Sequence, residues 1–575
     1  MRLSPVEQKI LQEVSSERLM QHTNEISKYV RISGSDDEAK SLEYVKKTLR
    51  GYGFKVHEHH AEAYIGYPVA AWLSITEPET RKIDGASASL APSTQTNGIQ
   101  SEIVYLGKGD EEAFSKRSVQ GKLALLEGLA EPEIAKRADK YGAAGEIFIN
   151  DDYAHEGTVS VIWGTPRAET ASLLPDTPCI SITAQEGAYL KTLLQKGAVS
   201  GRLVTKTWRG WRQIPIVTAD LPARPGRDKF ALLSGHIDSW YYGAMDNGSA
   251  NAGMLEVARI MSKYKKHLRR GLRVAFWSGH SHGRYAGSTW YADNFWLDLE
   301  KKCVAHVNVD SLGGIGATLL SEAPAMSSAR DLASLEVEKV AGQKLSGRDL
   351  TRAGDQSLVG IGMPSIFMGL SEVPATENTV SLFGPSPGGL GWWWHTREDT
   401  PDKIDPQNLV RDTKVYVLVM LALCAEPILP FDYRKTANEI KLVLAELQQN
   451  SKGRFDLKPL IQQADELVAV LGAFNRRVHR SKGRRRAELF NGALMELGHL
   501  LIPITHSSTD RFDHEFAVPV PILPSLRDVN RLAKLDVNSD EFKFLRNGLR
   551  RECNRVAYSL DKAVELVKLA ISKTK

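Results

Sequence analysis

The order of hydrophobic and polar positions divides the first 210 residues into two parts of different texture. From residue 5 to about residue 52 the apolar positions recur at helical spacing. A glycine-rich break at 51–53 then precedes FKVHEHHAEAYI, whose alternation predicts a strand. Residues 75–210 contain short β-type runs, such as SEIVYL, KLALLEG, GEIFIN and PCISIT, separated by Gly, Asp and Pro turns. This change predicts a separate, β-rich insert.

Between residues 211 and 428, strand-like runs alternate with helical stretches such as SANAGMLEVARIMSKYKKH. The strand-like runs are KFALLSGHID, GLRVAFWSG, VAHVNVDSL and MPSIFMG. This alternation predicts an α/β unit with a mostly parallel sheet, whose sites form at the carboxyl ends of the strands. Amphipathic runs such as ANEIKLVLAELQQ then predict a helical domain. We therefore expect the α/β unit in residues 1–74 and 211–428, the insert in 75–210 and the helical domain in 429–575.

Composition identifies an ordinary globular chain of several domains. It has 575 residues, of which 42% are hydrophobic and 25% charged. A net charge of +5 is too dilute at this length to indicate nucleic acid or an anionic membrane as a partner. The basic stretch at residues 476–486 lacks interleaved aromatic residues and is more typical of a solvated helix hairpin. We expect neither a nucleic-acid partner nor a membrane partner.

Cysteine usage favours a reducing compartment. The four cysteines lie far apart and form no CxxC pair, which argues against a disulfide framework and against a thiolate zinc site. The N-terminus lacks a signal-peptide core, and no run of 18 uninterrupted apolar residues occurs. These features predict a cytoplasmic protein without a membrane span.

The densest chemical signal is LLSGHIDSWYYGAMDNGSANAGMLEVAR. An apolar strand delivers His236 and Asp238, and a loop brings Asp246 just ahead of a helix. Imidazole nitrogen and carboxylate oxygen are ligands of zinc, and one carboxylate can bridge two ions. Asp238 is placed to accept the second ring N–H of His236, although an HxD pair is common and a structural role is equally open. Asp310, after VAHVNV, and His395, in WWWHTREDTPDKID, are further candidates whose meeting the spacing alone does not establish.

Several motifs in order resemble those of the two-zinc exopeptidase family of glutamate carboxypeptidase II, the transferrin receptor and bacterial aminopeptidases. They are GHIDSW, GAMDN, the strand ending in Asp310, and HTREDTPDKID. In the insert, VQGKLALLEG followed by AKRADKYGAAGEIFINDD resembles the protease-associated domain, and the helical tail resembles the transferrin-receptor dimerisation domain. The resemblance implies a zinc-exopeptidase-like core and a homodimer formed through the helical domain. It also implies that His236 and Asp310 hold one metal, that Asp246 bridges, that His395 holds a second metal, and that Asp238 orients a ligand.

One departure from the family pattern follows the strand GLRVAFW. The family places two consecutive glutamates there, a general base and a metal ligand, whereas this chain reads SGHSHGRYAGS. Counting from Trp277 aligns the glutamates with His280 and Ser281, and counting back from the later Gly-Ser pair aligns them with Ser281 and His282. Neither alignment retains a carboxylate, so a second ion should bind less tightly, be a different metal, or be absent.

Imidazole can replace either glutamate, because it accepts a proton near pH 7 and also binds metals. We assign His282 to the metal, and His280 to the base or to a hydrogen-bond donor in the transition state. The alternative is that both are satisfied polar groups in a decayed pocket. Asp355, in RAGDQSLVGIGMPSIFMG, is a candidate either for supporting the site or for a turn.

These residues predict a metal-dependent hydrolase that cleaves an amide or peptide bond in a small molecule or short peptide through metal-activated water. One or two divalent ions, zinc first among them, are expected. In related carboxypeptidases a tyrosine before the last histidine supports the oxyanion, but here Trp394 stands in that place. Arg284, Tyr285 or His280 must then supply the donor. The alternative function is a non-catalytic dimeric scaffold of transferrin-receptor type, against which the retained histidines and aspartates weigh.

Overall fold

A computed structural model describes residues 3–223, 228–376, 379–380, 386–480 and 483–573. Within these residues the architecture is mixed α/β, with one large, mostly parallel sheet and a helical C-terminal region. This confirms the predicted fold class. Among the helices in the described ranges, none has both the length and the apolar character needed to cross a membrane. The predicted helix hairpin at 476–486 includes residues 481–482, which lie outside the described ranges.

The strands and helices follow one another along the whole chain. The strands are β1 (Lys55–Glu77), β2 (Arg81–Gly85), β3 (Ala88–Ser89), β4 (Ile99–Tyr105), β5 (Leu123–Glu127), β6 (Gly145–Ile149), β7 (Gly157–Thr158), β8 (Cys179–Ile182), β9 (Ser200–Leu221), β10 (Phe230–His236), β11 (Gly271–Trp277), β12 (Cys303–Asn308), β13 (Ser365–Ile366), β14 (Val373–Pro374), β15 (Thr379–Val380) and β16 (Gly388–Gly391). The helices are α1 (Pro5–Leu11), α2 (Ser16–Ile26), α3 (Asp36–Gly51), α4 (Glu111–Lys116), α5 (Pro132–Tyr141), α6 (Ala184–Lys196), α7 (Ala250–Lys263), α8 (Ala286–Asn294), α9 (Trp296–Lys302), α10 (Arg330–Ala341), α11 (Pro406–Ala425), α12 (Tyr433–Asn450), α13 (Lys458–Arg480), α14 (Arg484–His506), α15 (Val529–Leu532) and α16 (Asp540–Lys573).

Serine caps begin each of the three N-terminal helices. The hydroxyl oxygens of Ser4, Ser15 and Ser35 accept backbone N–H groups in the first turns of α1, α2 and α3. The apolar faces of these helices are buried in the same core as α7 and the neighbouring strands. The predicted N-terminal helices are therefore confirmed, and they cover one face of the sheet.

Two long strands connect the two halves of the large sheet. β1 and β9 pair antiparallel from Lys55 opposite Asp220 to Glu77 opposite Ser200. β1 contains the predicted strand FKVHEHHAEAYI but extends well beyond it. The predicted domain boundaries at residues 74/75 and 210/211 fall inside these two strands, so one continuous ribbon joins the insert to the α/β unit. The division into domains stays a prediction.

The sheet order places the candidate site residues together at the carboxyl ends of neighbouring parallel strands. The order is β13-β12-β10-β11-β9-β4-β5-β6-β8, and β10, β11, β12 and β13 are mutually parallel. Every residue of β10 and β12 is buried, as expected for strands covered on both faces. Because β10 and β12 are parallel neighbours, His236 at the end of β10 and Asp310 just after β12 come to the same edge. β11 ends beside them, with Trp277 opposite His236.

The C-terminal region consists of helices that share the hydrophobic core of the α/β unit. Apolar residues of α12, α13, α14 and α16 belong to the same buried cluster as β10, α7 and α11. Between α14 and α15 the chain returns to the sheet edge, where the Ala517 N–H donates to the Val161 carbonyl across 2.8 Å. The helical character predicted for this region is confirmed, and its connecting segment reaches the site.

Candidate metal centre

His236 presents one free ring nitrogen at the carboxyl end of β10. Its Nδ1 lies 2.9 Å from the backbone carbonyl oxygen of Asp238, which can only accept, so Nδ1 carries the hydrogen and Nε2 is left to bind. The Asp238 carboxylate is 3.7 Å from Nδ1. The expectation that this carboxylate accepts the ring N–H is therefore wrong, because the turn after β10 brings the main-chain oxygen closer.

The Asp238 carboxylate instead anchors the loop that follows β11. It accepts the Ser33 hydroxyl at 2.9 Å and the backbone N–H groups of His280 and Ser281 at 3.2 and 2.8 Å. Burial acts to raise the pKa of Asp238, but the neighbouring imidazoles of His282 and His236 outweigh it and hold this pKa well below its usual range. Asp238 is thus an ionised group that fixes where His280 stands.

Asp246 lies between two imidazoles. Its Oδ1 is 2.9 Å from His236 Nε2, and its Oδ2 is 2.9 Å from His395 Nε2. Burial opposes ionisation of Asp246, but the two histidines hold its pKa well below the usual range. In return, the carboxylates of Asp310 and Asp246 raise the pKa of His236 well above its ordinary value against the opposite effect of burial. The site therefore concentrates negative charge that attracts a cation.

Asp310 completes the group on the β10–β12 side. Its Oδ2 is 3.5 Å from His236 Nε2, and its Oδ1 accepts the hydroxyl of Ser311 at 2.9 Å. His236, His280 and Asp310 each offer one ligand atom, and these atoms lie within 4.8 Å of one another. The sequence-predicted residues His236, Asp246, Asp310 and His395 are thus brought together.

The segment between β6 and β7 orients His395. Its Nδ1 lies 2.8 Å from the backbone carbonyl oxygen of Glu156, and the Glu156 N–H donates to the His395 carbonyl at 3.2 Å. His395 has a positive φ of 58°, and its ring stacks on Trp394 with centroids 3.3 Å apart. Burial lowers the pKa of His395 although Asp246 opposes this. The ring is therefore presented neutral, with Nε2 towards Asp246.

The unsatisfied atoms at this centre fit a divalent ion. His236 Nε2 and Asp246 Oδ1 are both buried and have no hydrogen-bond partner among the described residues, although they are 2.9 Å apart. Two such atoms at this separation are explained if both direct lone pairs at a shared cation, since buried polar atoms otherwise find partners. Imidazole and carboxylate donors are those that zinc takes from proteins. The residues present therefore fit a metal.

His280 stands directly over His236. The two rings are nearly parallel, at 11°, with centroids 3.8 Å apart, and His280 Nδ1 is 2.9 Å from Asp355 Oδ2. Asp355 is buried, so the candidate support that the sequence left open as a turn does contact the site.

His282 is placed away from the other candidate ligands. Its Nδ1 lies 2.9 Å from the Ser33 hydroxyl, and its ring packs against Trp240 with centroids 4.9 Å apart. Among the described residues, His280 belongs to the group of candidate ligands around His236, whereas His282 does not. The structure therefore does not bring His282 to the group of ligand atoms around His236, and the nearer imidazole is that of His280. The physical reason is that β11 ends at Trp277 and the chain turns at Gly279, where φ is +78°, so the two histidines do not share a strand face.

A cavity of about 280 Å³ opens onto the centre. Its wall includes the three candidate oxyanion donors Arg284, Tyr285 and His280, together with Trp394. Of the tryptophan run, Trp393 is buried in the core, and Trp392 stacks on Tyr153 with centroids 4.2 Å apart. The cavity is lined by the loops that carry the metal candidates, by segments 129–133 and 155–158, and by residues 517–519. Three regions of the chain therefore enclose the site.

Sequence reasoning missed two buried residues that hold the metal candidates. Asp399 accepts the N–H groups of Met245 and Asp246 at 2.8 and 3.0 Å. It is the last residue of the HTRED segment that begins with His395, so this motif could have indicated a role for Asp399 at the site. Arg31 donates to main-chain carbonyls on both sides of the turn after β10. No local signal marks Arg31, because its partners in this turn lie more than 200 residues away.

Comparisons with known proteins agree with this geometry. Residues 217–420 match the model of peptidase family M28. The probable glutamate carboxypeptidase AMP1 of Arabidopsis thaliana is 22% identical over 543 residues, which cover 80% of this chain and 75% of that protein.

Two solved structures share the fold. The aminopeptidase from Aneurinibacillus sp. strain AM-1 aligns with a TM-score of 0.54 and 22% identity, over 73% of this chain and 98% of that one. A zinc aminopeptidase from Bacillus subtilis aligns with a TM-score of 0.52 and 20% identity, over 72% and 96% of the two chains. The residues that match the M28 model include β10 and β12, the strands that lead to His236 and Asp310, so the similarity to this family covers the candidate metal centre.

Proposed function

We propose that this chain is a metal-dependent hydrolase that cleaves an amide or peptide bond in a small molecule or short peptide, with zinc as its metal. The observation that carries this proposal is Asp246, whose two carboxylate oxygens each lie 2.9 Å from the Nε2 atom of a different histidine. A carboxylate in this position suits two adjacent ions. The match of residues 217–420 to the M28 model and the relatives named as carboxypeptidase and aminopeptidase support the same reaction class.

We assign the metal-holding roles to the four residues that converge. His236 and Asp310 would hold one ion, His395 would hold a second, and Asp246 would bridge. A divalent ion bound there would polarise a carbonyl oxygen and lower the pKa of a water molecule. SGHSH contains no carboxylate, so the His395 side of the centre has fewer negative ligands. This loss determines whether the centre holds one ion or two.

The stacking of His280 on His236 supports a base role for His280. A metal bound by imidazole lies close to the ring plane, and two nearly parallel rings with centroids 3.8 Å apart cannot both contain one ion in their planes. His280 Nε2 would instead take a proton from water as the water oxygen attacks the carbonyl carbon. The same proton would pass to the leaving nitrogen when the C–N bond breaks, so that the histidine is restored.

Oxyanion support would come from the cavity wall. Arg284 and Tyr285 both line the cavity beside His280, whereas Trp394 offers only an indole and stacks on His395. Tyr285 is buried and its ring packs edge-on against His280, with centroids 4.9 Å apart. A phenol there stands in for the tyrosine that related carboxypeptidases place before their last histidine.

Metal analysis tests the proposal most directly. Purified chain grown with zinc should retain at least about one ion per molecule, and Asp246→Asn should lose most of it, because that oxygen pair contacts both imidazoles. Asp402→Asn, an exposed aspartate on the surface, is the matched control and should retain the ion. Screening amides, ureas and short peptides with several divalent metals would then identify the substrate. Less than about a tenth of an ion per wild-type chain would refute the proposal.

A non-catalytic dimeric scaffold is the second candidate, favoured by the absence of any carboxylate in SGHSH. It predicts that no substrate in the screen is turned over even when metal is bound. Turnover that is lost in His280→Ala, with metal retained, would exclude it.

We propose that the insert is a protease-associated domain, that the protein is cytoplasmic, and that residues 429–575 form a homodimer interface. Four buried free cysteines are compatible with a reducing compartment. Exposed apolar side chains on the helical region, including Leu442, Phe544 and Tyr558, offer a surface for a second copy. Light scattering of wild type and Phe544→Glu would test the dimer.

A further inference from the structure

The buried carboxylate of Asp355 has hydrogen-bond partners on two sides. Its Oδ2 lies 2.9 Å from His280 Nδ1, and its Oδ1 lies 2.7 Å from the hydroxyl oxygen of Ser288. Ser288 is on the first turn of α8, and Asp355 is in a loop 67 residues later. The fold therefore joins these groups at the inner wall of the cavity.

A chain of hydroxyl groups continues from Ser288 to the insert. Ser288 Oγ is 2.8 Å from Ser357 Oγ, and Trp163 Nε1 donates to Ser357 Oγ across 2.9 Å. Trp163 is buried and packs against the ring of Tyr285, at 4.2 Å, and the guanidinium of Arg352, at 3.9 Å. These contacts hold the indole in place, and its N–H has a single partner in Ser357.

Counting donors fixes the direction of every hydrogen in this chain. An indole N–H can only donate, so Ser357 Oγ accepts from Trp163. The single hydrogen of Ser288 goes to the carboxylate at 2.7 Å in preference to the Tyr285 carbonyl at 3.2 Å, because the bond to a charged acceptor is stronger. Ser357 then donates to Ser288 Oγ at 2.8 Å in preference to Thr289 Oγ1 at 3.3 Å, because the shorter contact is the stronger bond. As a carboxylate, Asp355 carries no hydrogen and is an acceptor on both sides.

These hydrogen-bond directions determine the tautomer of His280. Since Asp355 only accepts, the hydrogen between them belongs to His280 Nδ1, and Nε2 is the nitrogen with a free lone pair. The backbone N–H of His280 is held separately by Asp238. The main chain and the tautomer of this residue are therefore fixed by two different aspartates.

We propose that Asp355 is a positioning residue that holds His280 as its Nδ1–H tautomer, and that Trp163 of the insert supports it through Ser357 and Ser288. The catalytic consequence rests on the proposed hydrolase function, whereas the tautomer does not. The insert then takes part in setting the reactive nitrogen as well as in lining the cavity.

The tautomer is measured by nitrogen NMR on the full-length, metal-free chain with ¹⁵N-labelled histidine. The His280 signals are identified by their absence in His280→Asn. We expect the Nδ1–H form in wild type and a shift towards the Nε2–H form in Asp355→Asn, with Asp402→Asn as the matched control. The Nδ1–H form persisting unchanged in Asp355→Asn would overturn the proposal, whether or not a substrate has been found.

A double-mutant cycle tests the catalytic consequence. With the best substrate from the screen, Asp355→Asn should lower kcat roughly 100- to 10,000-fold, with little change in KM or metal content. In a His280→Asn background the same substitution should cost less than about twofold, because its effect passes through the ring. Equal costs in both backgrounds would indicate a merely structural role and refute positioning.

Milder variants keep the test valid if Asp355→Asn folds poorly. Ser357→Ala and Trp163→Phe each remove one hydrogen-bonding group from this series of contacts and leave the packing around it nearly unchanged. Each should lower kcat roughly 3- to 10-fold, as expected for the loss of one hydrogen bond. Trp290→Phe is the control, because this indole lies on the same helix as Ser288 but takes no part in the hydrogen bonds between Trp163, Ser357, Ser288 and Asp355. No change in kcat for both Ser357→Ala and Trp163→Phe would remove the insert from the proposal.

Discussion

Arg31 is the residue whose loss should damage the metal centre most from a distance. Its side chain is fully buried, and it donates five hydrogen bonds, all to main-chain carbonyls. The two shortest, both 2.7 Å, reach Ile237 and Tyr242, at the two ends of the turn between His236 and Asp246. Burial lowers the pKa of Arg31 to about 10, so the guanidinium remains charged at neutral pH.

The cost of Arg31→Met can be worked from these contacts. The substitution keeps an unbranched side chain but removes the guanidinium from five carbonyl oxygens, of which those of Ile26 and Gly243 keep another donor. It also relieves the desolvation of one charge. Removing one partner from a buried charged network costs about 3–5 kcal/mol. Arg31→Lys keeps the charge with three donors for five carbonyls, and it should cost about half as much.

Thermal unfolding and metal affinity measure the effect separately. For a unit of this size, about 4 kcal/mol corresponds to a fall in Tm of roughly 4–8 °C. Because the turn sets the separation of His236 and Asp246, zinc affinity measured by chelator competition should fall about 10- to 100-fold. Arg18→Met, at an exposed arginine of α2, is the matched control. If Arg31→Met matched that control in Tm and in zinc affinity, the role assigned to this turn would be wrong.

Three further predictions concern pH and metal removal. Both carboxylate oxygens of Glu146 are buried without a hydrogen-bond partner among the described residues, and burial raises its pKa well above the usual value. The unfolded chain therefore ionises first as pH rises above about 4.5, and stability falls by about 1.4 kcal/mol per pH unit until the folded pKa is reached. Glu146→Gln should abolish this slope and raise Tm at pH 8, and a lower Tm at both pH 5 and pH 8 would contradict it. His306, buried between the hydroxyl groups of Ser234 and Ser365, has its pKa lowered by burial to about 4. The stability contributed by the neutral His306, about 3 kcal/mol, is complete above pH 6.5 and is lost as pH falls towards 4. His306→Asn should therefore flatten the profile of Tm against pH in that window, and an unchanged profile would contradict this prediction. Chelation with EDTA should lower the Tm of wild type more than that of Asp246→Asn, and equal shifts in differential scanning calorimetry would argue against a metal at Asp246.

Local sequence patterns were enough to predict the framework of the centre. An apolar strand followed by a polar residue places that residue at a sheet edge, so His236 and Asp310 could be assigned from their position after buried runs. Asp246 and His395 followed from ordered motifs that resemble a family. Helical spacing likewise predicted α12, α13 and α16, since a period of 3.6 residues is readable over one segment.

The assignment of His280 and His282 depended on information that the spacing does not contain. Two residues at i and i+2 share a face only while a strand continues, and β11 ends at Trp277 before either histidine. The turn sends His282 to Ser33 and His280 to Asp355, both far away in sequence. Which imidazole faces the centre is thus a consequence of where one strand stops.

The sequence by itself determined which residue types stand at strand ends, which segments are helical, and that a glutamate pair is replaced by SGHSH. Only the tertiary structure decided the partners that orient those residues. Arg31, Asp399 and the Glu156 carbonyl reach the centre from three separate regions of the chain. The physical reason is that periodicity reports burial along one element, whereas a hydrogen bond between distant segments depends on how all of the elements pack.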